Sequence, residues 1–434
     1  MKFPPVKGTR DFYPTEMAVR NWLIDGWKKV SIRNGFEEYD GPIFEYLKMF
    51  QVKSGDEISE QLFSLTDRGG RELALRPEIT PTLARMVNQR ISSLPKPIKW
   101  FSVPRLFRAE RPQKGRLREF FQWNIDIIGV DDVLADAETI FCALDYLQEV
   151  GLRPDDIVVK ISSRKLLAAI LKKIGIAEKS LDSLYPVLDK KDKLPSETFK
   201  EMVDGQVPDR RTAGKILDFM EVRKVSEIKK IVKYDANDEI DQAVNEQAML
   251  LHHLNQMGVS KYCKFDPGIV RGLAYYTGIV YEIHDKSGQL RAIGGGGRYD
   301  NLLKDFGGPD MPATGFAIGD CVLTILLEEK GLLQKQIPPA ELDYFIAFAD
   351  EKFLQKAVEI TAKLRRKNYS ANFSYKAANL SRQLKQASAQ NAQKCIIIGS
   401  EIEKNQLAVK DMKTGAQQLT EVDKFFAQLQ QKSK

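Results

Sequence analysis

Histidine is scarce in this chain of 434 residues, which has only His252, His253 and His284. None stands near a Ser-x-Gly elbow or an acidic metal pattern, which argues against histidine-based acid–base or metal chemistry. The four cysteines, Cys142, Cys263, Cys321 and Cys395, lie far apart and form no C-x-x-C pair. That spacing indicates neither a zinc site nor a disulfide framework. No apolar run reaches 18 residues, and MKFPPVKGTRDFYP lacks the apolar segment of a signal peptide, so a cytoplasmic protein with no membrane partner is expected. The phosphate-cradling pattern G-x-x-x-x-G-K-[ST] is absent, as is a G-x-G-x-x-G following a strand. A P-loop or Rossmann nucleotide site therefore has no support.

What is present is charge of both signs. Sixty-six Lys and Arg against 59 Asp and Glu give a net charge of +7, a mixed surface with a mild preference for an anionic partner. The length exceeds one ordinary core, so two or more domains are expected. Thr15 is positioned to cap a helix in which Val19, Leu23, Trp27 and Val30 share a face, ending near Gly35. GFEEYDGP (35–42) breaks it, and a strand leading to Pro42 suits a sheet edge or an interface. Residues 98–107 and 120–128 read as strands joined by a long hairpin loop containing Pro112 and Gly115. Along the second strand Trp123, Ile125 and Ile127 fall on one face and Gln122, Asn124 and Asp126 on the other, so the polar face meets water, a partner or a ligand.

Helical segments at about 165–255, separated by Lys- and Asp-rich connections, read as an insertion. QKQIPPAEL then reads as a linker. Beyond it, strand, helix, strand, helix and strand alternate, followed by a hairpin and a final helix, which predicts a small α/β domain with a mostly parallel sheet.

Four stretches have the residues for chemistry. In RAERPQKGRLREFFQWNID (108–126), Arg108 ends a strand where its planar guanidinium can clamp a phosphate or carboxylate, and Arg111, Lys114, Arg116 and Arg118 decorate the loop. The alternative is a solvated hairpin. In LALRPEITPTLARM, Glu78 precedes a helix start at Ile79 or Thr80 and suits an α-ammonium or, alternatively, a helix cap. In RGLAYYTGIVYEI, Arg271 precedes a Gly, and Tyr275 and Tyr276 would point to opposite faces of a strand, one toward a ligand, unless both simply pack in a sheet. GGGGRYD (294–300) would let a flat ligand lie against main chain with Arg298 supplying charge, or form a flexible turn.

Taken in order, KGTRDFYP, RPEIT, FRAERPQKGRLREFFQ, RGLAYYTG and GGGGRYDNLL resemble the class II aminoacyl-tRNA synthetases, and among them the histidyl-tRNA synthetase family. The likeness spans essentially the whole chain. It implies an α+β fold: an antiparallel-sheet catalytic domain over 1–330 with the helical insertion inside it, a linker at 331–342 and an anticodon-binding α/β domain over 343–434. It also implies the reaction: histidine and ATP give histidyl-adenylate, and the acyl group passes to the 3′ end of histidine tRNA. By the same resemblance Arg108 and Arg271 are the catalytic arginines, and Arg108, Glu110 and Arg116 bind ATP. Glu78, Thr80, Gln122, Asp126, Arg271, Tyr275 and Tyr276 bind histidine. Mg2+ and a homodimer joined through GFEEYDGP are implied as well. Two positions depart from the family pattern: Ala274 replaces an acidic residue, and Val322 stands where an arginine holds the γ-phosphate. The second departure leaves a competing reading, a non-catalytic histidine-sensing regulatory paralogue of the ATP phosphoribosyltransferase type.

Overall fold

The computed structural model describes residues 3–51, 61–271, 275–337 and 341–432. Gly272 and Ala274 in the RGLAYY segment and the paired Pro338 and Pro339 of the linker lie outside these residues. Two compact units are present, Met1–Ile337 and Pro338–Lys434.

The first unit is built on one large sheet. Its strands run in the order Glu37–Glu38, Ile98–Ser102, Glu119–Ile128, Ala313–Gly319, Gly294–Arg298, Ile279–Asp285, Ile157–Ser163 and Cys263–Phe265, and Arg105–Phe107 also pairs with Glu119–Ile128. The six central strands are antiparallel to their neighbours. The short outer pairings, Glu37–Glu38 on Ile98–Ser102 and Cys263–Phe265 on Ile157–Ser163, are parallel. The expected single strand 98–107 is two strands, broken at Val103 and Pro104, because a proline cannot donate to a central ladder.

Helices cover one face of this sheet. Pro14–Arg33 buries Leu23, Trp27 and Val30, and Trp27 stacks on Trp123 with ring centroids 6.2 Å apart. Its cap differs from expectation: Tyr13 is the N-cap without a side-chain bond and Pro14 opens the helix, since proline's fixed φ suits the first helical position. Trp123, Ile125 and Ile127 enter the same core, so the alternation along Glu119–Ile128 is realised in three dimensions.

The insertion runs through helices from Arg164–Lys173 to Glu239–Gln256 and has a separate core that includes Leu167, Ile170, Leu184, Phe199 and Phe219. A smaller sheet, Phe44–Tyr46, Glu72–Leu75 and Ser64–Thr66, leads into the helix Thr80–Arg90.

The second unit has a five-stranded sheet in the order Ala371–Phe373, Leu342–Phe348, Ala392–Ile398, Gln406–Asp411 and Gln417–Glu421. The first three strands are parallel, and the last two add antiparallel. The sheet is therefore evenly mixed where a mostly parallel one was expected, because the hairpin joins its edge.

Candidate active site

On the face of the large sheet opposite the helices lies a cleft of about 1220 Å³. All ten side chains that the resemblance assigns to catalysis or to binding ATP and histidine line it. They come from four parts of the chain that the antiparallel topology makes neighbours.

The strand Glu119–Ile128 supplies Gln122, Asn124 and Asp126, two residues apart and so on one face. Asp126 is 4% exposed; one carboxylate oxygen accepts from the Tyr299 hydroxyl, and the other is buried with no partner among the described residues. Burial pushes this carboxyl up to about 7, against the Tyr299 hydrogen bond and with help from the nearby Glu78. Gly315, opposite Asp126 in the register, makes the pair possible: a methyl there would stand 2.7 Å from the Asp126 oxygen and 2.8 Å from the Tyr299 hydroxyl.

Glu78 precedes the helix Thr80–Arg90 and is buried. The capping alternative falls, because the N-cap is Ile79 without a side-chain bond. Glu78 instead accepts from the Tyr275 hydroxyl at 3.3 Å. Burial raises its pKa, while Arg108 and Tyr275 act to lower it. Arg108 donates through Nε to the Pro77 carbonyl at 3.0 Å, and its guanidinium lies 5.2 Å from the Phe120 ring centre. In the hairpin loop Arg116 pairs with Glu110. The loop tip is fixed: Lys114 pairs with Glu329 at 3.0 Å, and Gly115, at φ +75°, turns directly above Val322. Val322 is buried in the main core.

Arg271 adopts φ +63°, rare for a residue with a Cβ. Its guanidinium donates to Glu282 at 2.8 Å and reaches the Tyr276 hydroxyl at 3.5 Å, and its Nε is buried without a partner among the described residues. Burial alone would lower this guanidinium, yet Tyr276 and Glu282 raise it. Burial also opposes ionisation of Glu282, but hydrogen bonds from His284 and Arg271 bring its carboxyl down to about 2.

Two expectations are corrected here. Tyr275 and Tyr276 do not project to opposite faces of a strand. They precede Ile279–Asp285, their ring centroids lie 5.0 Å apart, and both pack near Tyr299. The run Gly294–Arg298 is neither a turn nor a charged ligand wall but a buried strand. Arg298 is 1% exposed and donates to Asp136 at 2.5 Å, away from the cleft. The glycines make room for the chain itself: a Cβ on Gly295 would meet the Arg271 guanidinium at 2.9 Å, and one on Gly297 the Tyr276 ring at 3.0 Å.

Glu282, His284 and Tyr299 also line the cleft and were not singled out. Glu282 and His284 carry the same signal as the polar face of Glu119–Ile128, since they alternate with the buried Tyr281 and Ile283. Tyr299 carries none, because its partner lies 173 residues away.

Comparison with known proteins gives a consistent answer. Residues 8–320 match the family model for histidyl-tRNA synthetase, and residues 337–432 match that for an anticodon binding domain. Among relatives, a histidine–tRNA ligase of Opitutus terrae is 37% identical over 414 residues, 95% of this chain and 94% of that one. A chloroplastic/mitochondrial histidine–tRNA ligase of Arabidopsis thaliana is 38% identical over 414 residues, 95% of this chain and 84% of that one. A crystal structure of histidyl-tRNA synthetase from Nostoc sp. PCC 7120 superposes with a TM-score of 0.80 at 23% identity, covering 98% of this chain and 99% of that one, a likeness of fold. The cleft, the hairpin over its rim and a match extending from residue 8 into the second unit all point one way, and the chain belongs to the histidyl-tRNA synthetase family.

Proposed function

We propose that the cleft activates histidine with ATP and that the chain then transfers the acyl group to histidine tRNA. Family membership supplies the overall reaction, ATP-dependent ligation of histidine to tRNA. The convergence of all ten expected side chains on one cleft supports the residue roles.

Histidine sits with its imidazole on Asp126, whose second oxygen, without a partner among the described residues, accepts a ring N–H, and Gln122 faces the same space. Its ammonium lies at Glu78 and Thr80, and Tyr275 and Tyr276 close the side. ATP lies beside the hairpin: Arg108 holds the α-phosphate, and Glu110 and Arg116 bind the nucleotide. The histidine carboxylate attacks the α-phosphorus, the bond to the β-phosphate breaks, and pyrophosphate leaves. Arg108 and Arg271 place positive charge where the five-coordinate phosphorus gains negative charge. No side chain acts as a nucleophile, so the rate comes from positioning and electrostatics. Magnesium would come with ATP as part of the substrate and would offset negative charge on the phosphates.

The regulatory alternative is disfavoured: relatives matched over 95% of the chain are named ligases, and the match continues through the second unit. Catalytic work is assigned to residues 1–330, with the helical insertion at about 165–255, and anticodon binding to 343–434, joined by the linker 331–342. The working place is the cytoplasm; no helix among the described residues is long and apolar enough to cross a membrane.

A homodimer completes the proposal. In the small sheet, Phe44 is opposite Leu75, Tyr46 opposite Leu73, and Leu65 also opposite Leu73, so five apolar side chains share one face. Phe44, Tyr46 and Leu65 are 55%, 59% and 46% exposed. An apolar face of that kind is the signature of a surface awaiting a partner.

Histidine-dependent ATP–pyrophosphate exchange, with the other amino acids as controls, tests the reading. Exchange with histidine alone is expected. Histidine binding without exchange would establish a sensor in its place.

A further inference from the structure

A second cavity, of about 590 Å³, opens between the insertion helices Arg164–Lys173 and Glu239–Gln256 and the segment Tyr276–Thr277. Tyr276 lines both this space and the cleft, so the two share a wall. None of the other residues around it has a role in the proposed reaction. Its charged lining is balanced, with Arg164, Lys165 and Lys172 against Asp182, Glu239 and Glu246.

The balance is not met pair by pair. The Arg164 guanidinium lies over the Tyr185 ring, 3.9 Å from its centre, and its Nη1 is buried without a hydrogen-bond partner among the described residues. Burial lowers its pKa, while Tyr185 and Asp182 act to raise it. Arg164 also opens its helix, so the positive end of the helix adds to its pull on an anion. Across the space, one oxygen of Glu246 accepts from Lys165 at 3.2 Å, and the other is buried without a partner among the described residues. Next to it Gln247 is 0% exposed, and neither atom of its amide has a partner among the described residues. Gln247 stands one helical turn beyond Ala243, which lines the cavity, and so on the same face of the helix.

Buried polar atoms in folded proteins are paired with few exceptions, so a group of orphans around one open space marks something that fills it. The orphans here are a cationic donor, an anionic acceptor and an amide. A net anion would have to sit among three carboxylates, and a net cation among three bases, whereas a molecule carrying both charges matches the lining. We propose that this cavity binds a small zwitterion of the α-amino-acid class, its carboxylate on Arg164 and its ammonium on Glu246, with the Gln247 amide facing its side chain. Through the shared Tyr276, occupancy changes the affinity of the cleft for histidine, and histidine changes the affinity of this cavity by the same factor. That coupling rests on the reading of Tyr276 as part of the histidine pocket; the site itself does not.

The test is calorimetric titration of the full-length chain with each proteinogenic amino acid while histidine saturates the cleft; for histidine itself, the number of molecules bound per chain is read. At least one amino acid should bind beyond the cleft, at one molecule per chain. Arg164→Met and Glu246→Gln should each weaken that binding by about 10- to 150-fold, the worth of a hydrogen bond to a charged group. Ala168→Leu, which fills the space without removing a charge, should abolish it. Melting of each variant without added amino acid shows whether its fold is intact. In pyrophosphate exchange the bound amino acid should shift KM for histidine in the parent and leave it unmoved in Arg164→Met. Binding of none of the amino acids would overturn the site and leave water as the occupant of the cavity. Binding that all three variants retain unchanged would overturn its placement here. Binding with KM unmoved in the parent would overturn the coupling alone. A parent that binds the amino acid yet shows no exchange with histidine would instead overturn the ligase reading and leave the site standing.

Discussion

The Tyr299 hydroxyl donates to one oxygen of Asp126 while the other oxygen of that carboxylate is buried without a partner among the described residues. A polar atom left unsatisfied in a dry site costs about 1–3 kcal/mol, and a bound imidazole N–H would remove that cost.

The raised pKa of Asp126 gives a pH prediction. The neutral acid is the form the fold prefers, so its contribution to stability is present at low pH and is lost as pH rises through about 7. Histidine recognition needs the ionised acceptor, so kcat/KM for histidine in the exchange reaction should rise as pH climbs through about 7. Asp126→Asn should flatten this limb and lower kcat/KM about 10- to 150-fold, the worth of a hydrogen bond to a charged group, about 1.5–3 kcal/mol. A wild-type profile that is flat between pH 6 and 8 would remove Asp126 from the role.

Tyr299→Phe should move the same limb upward in pH. The Tyr299 hydrogen bond lowers the Asp126 pKa, and without it ionisation needs more alkaline solution. An unshifted profile with unchanged melting temperature would show that the hydroxyl serves packing only.

Arg271→Lys retains charge near Glu282 but loses the planar fork. Single-turnover adenylate formation should slow by about 10²- to 10³-fold, as for loss of one preorganised donor worth about 2.7–4 kcal/mol. Thermal melting of the same variant separates this from unfolding. A near-normal rate would exclude Arg271 from transition-state stabilisation.

Gly115→Ala combines two penalties: a left-handed backbone, costing about 1–2 kcal/mol for a residue with a Cβ, and a methyl 2.9 Å from Val322. The hairpin tip should lift from the helix Asp320–Glu329, raising KM for ATP more than KM for histidine. Val322→Ala in the same chain should recover part of the loss, and no recovery would mean that the backbone strain dominates.

Phe44→Asp should abolish self-association if the five-residue apolar face is the dimer contact, with molar mass read by light scattering. A variant that keeps the parent mass would place the interface elsewhere.

How much of this could be read in the sequence depended on the range of the signal. The faces of Glu119–Ile128 followed from alternation alone, because a strand's side chains obey a period of two wherever it lies. The ten cleft residues were found through resemblance to a family, since motifs far apart in the chain carry no statement of their own about meeting. Arg298 shows the limit: its exposure and partner depend on Asp136, 162 residues earlier. Its local surroundings, four glycines and a tyrosine, read equally well as a turn. Tyr275 and Tyr276 were misplaced for a different reason. Their neighbours look strand-like, but the strand begins only at Ile279, after Thr277 and Gly278, and rings on irregular backbone need not alternate.

The strand of four glycines has a meaning for how this pocket can change over time. A Cβ on Gly295 would stand against Arg271 and one on Gly297 against Tyr276, so a substitution at either of these two glycines displaces a residue proposed to serve the reaction. Variation in amino-acid selectivity is therefore channelled onto the strand two places along the same sheet, to Gln122, Asn124 and Asp126. The glycines are the fixed side of a gauge whose other side can be filed to a new shape.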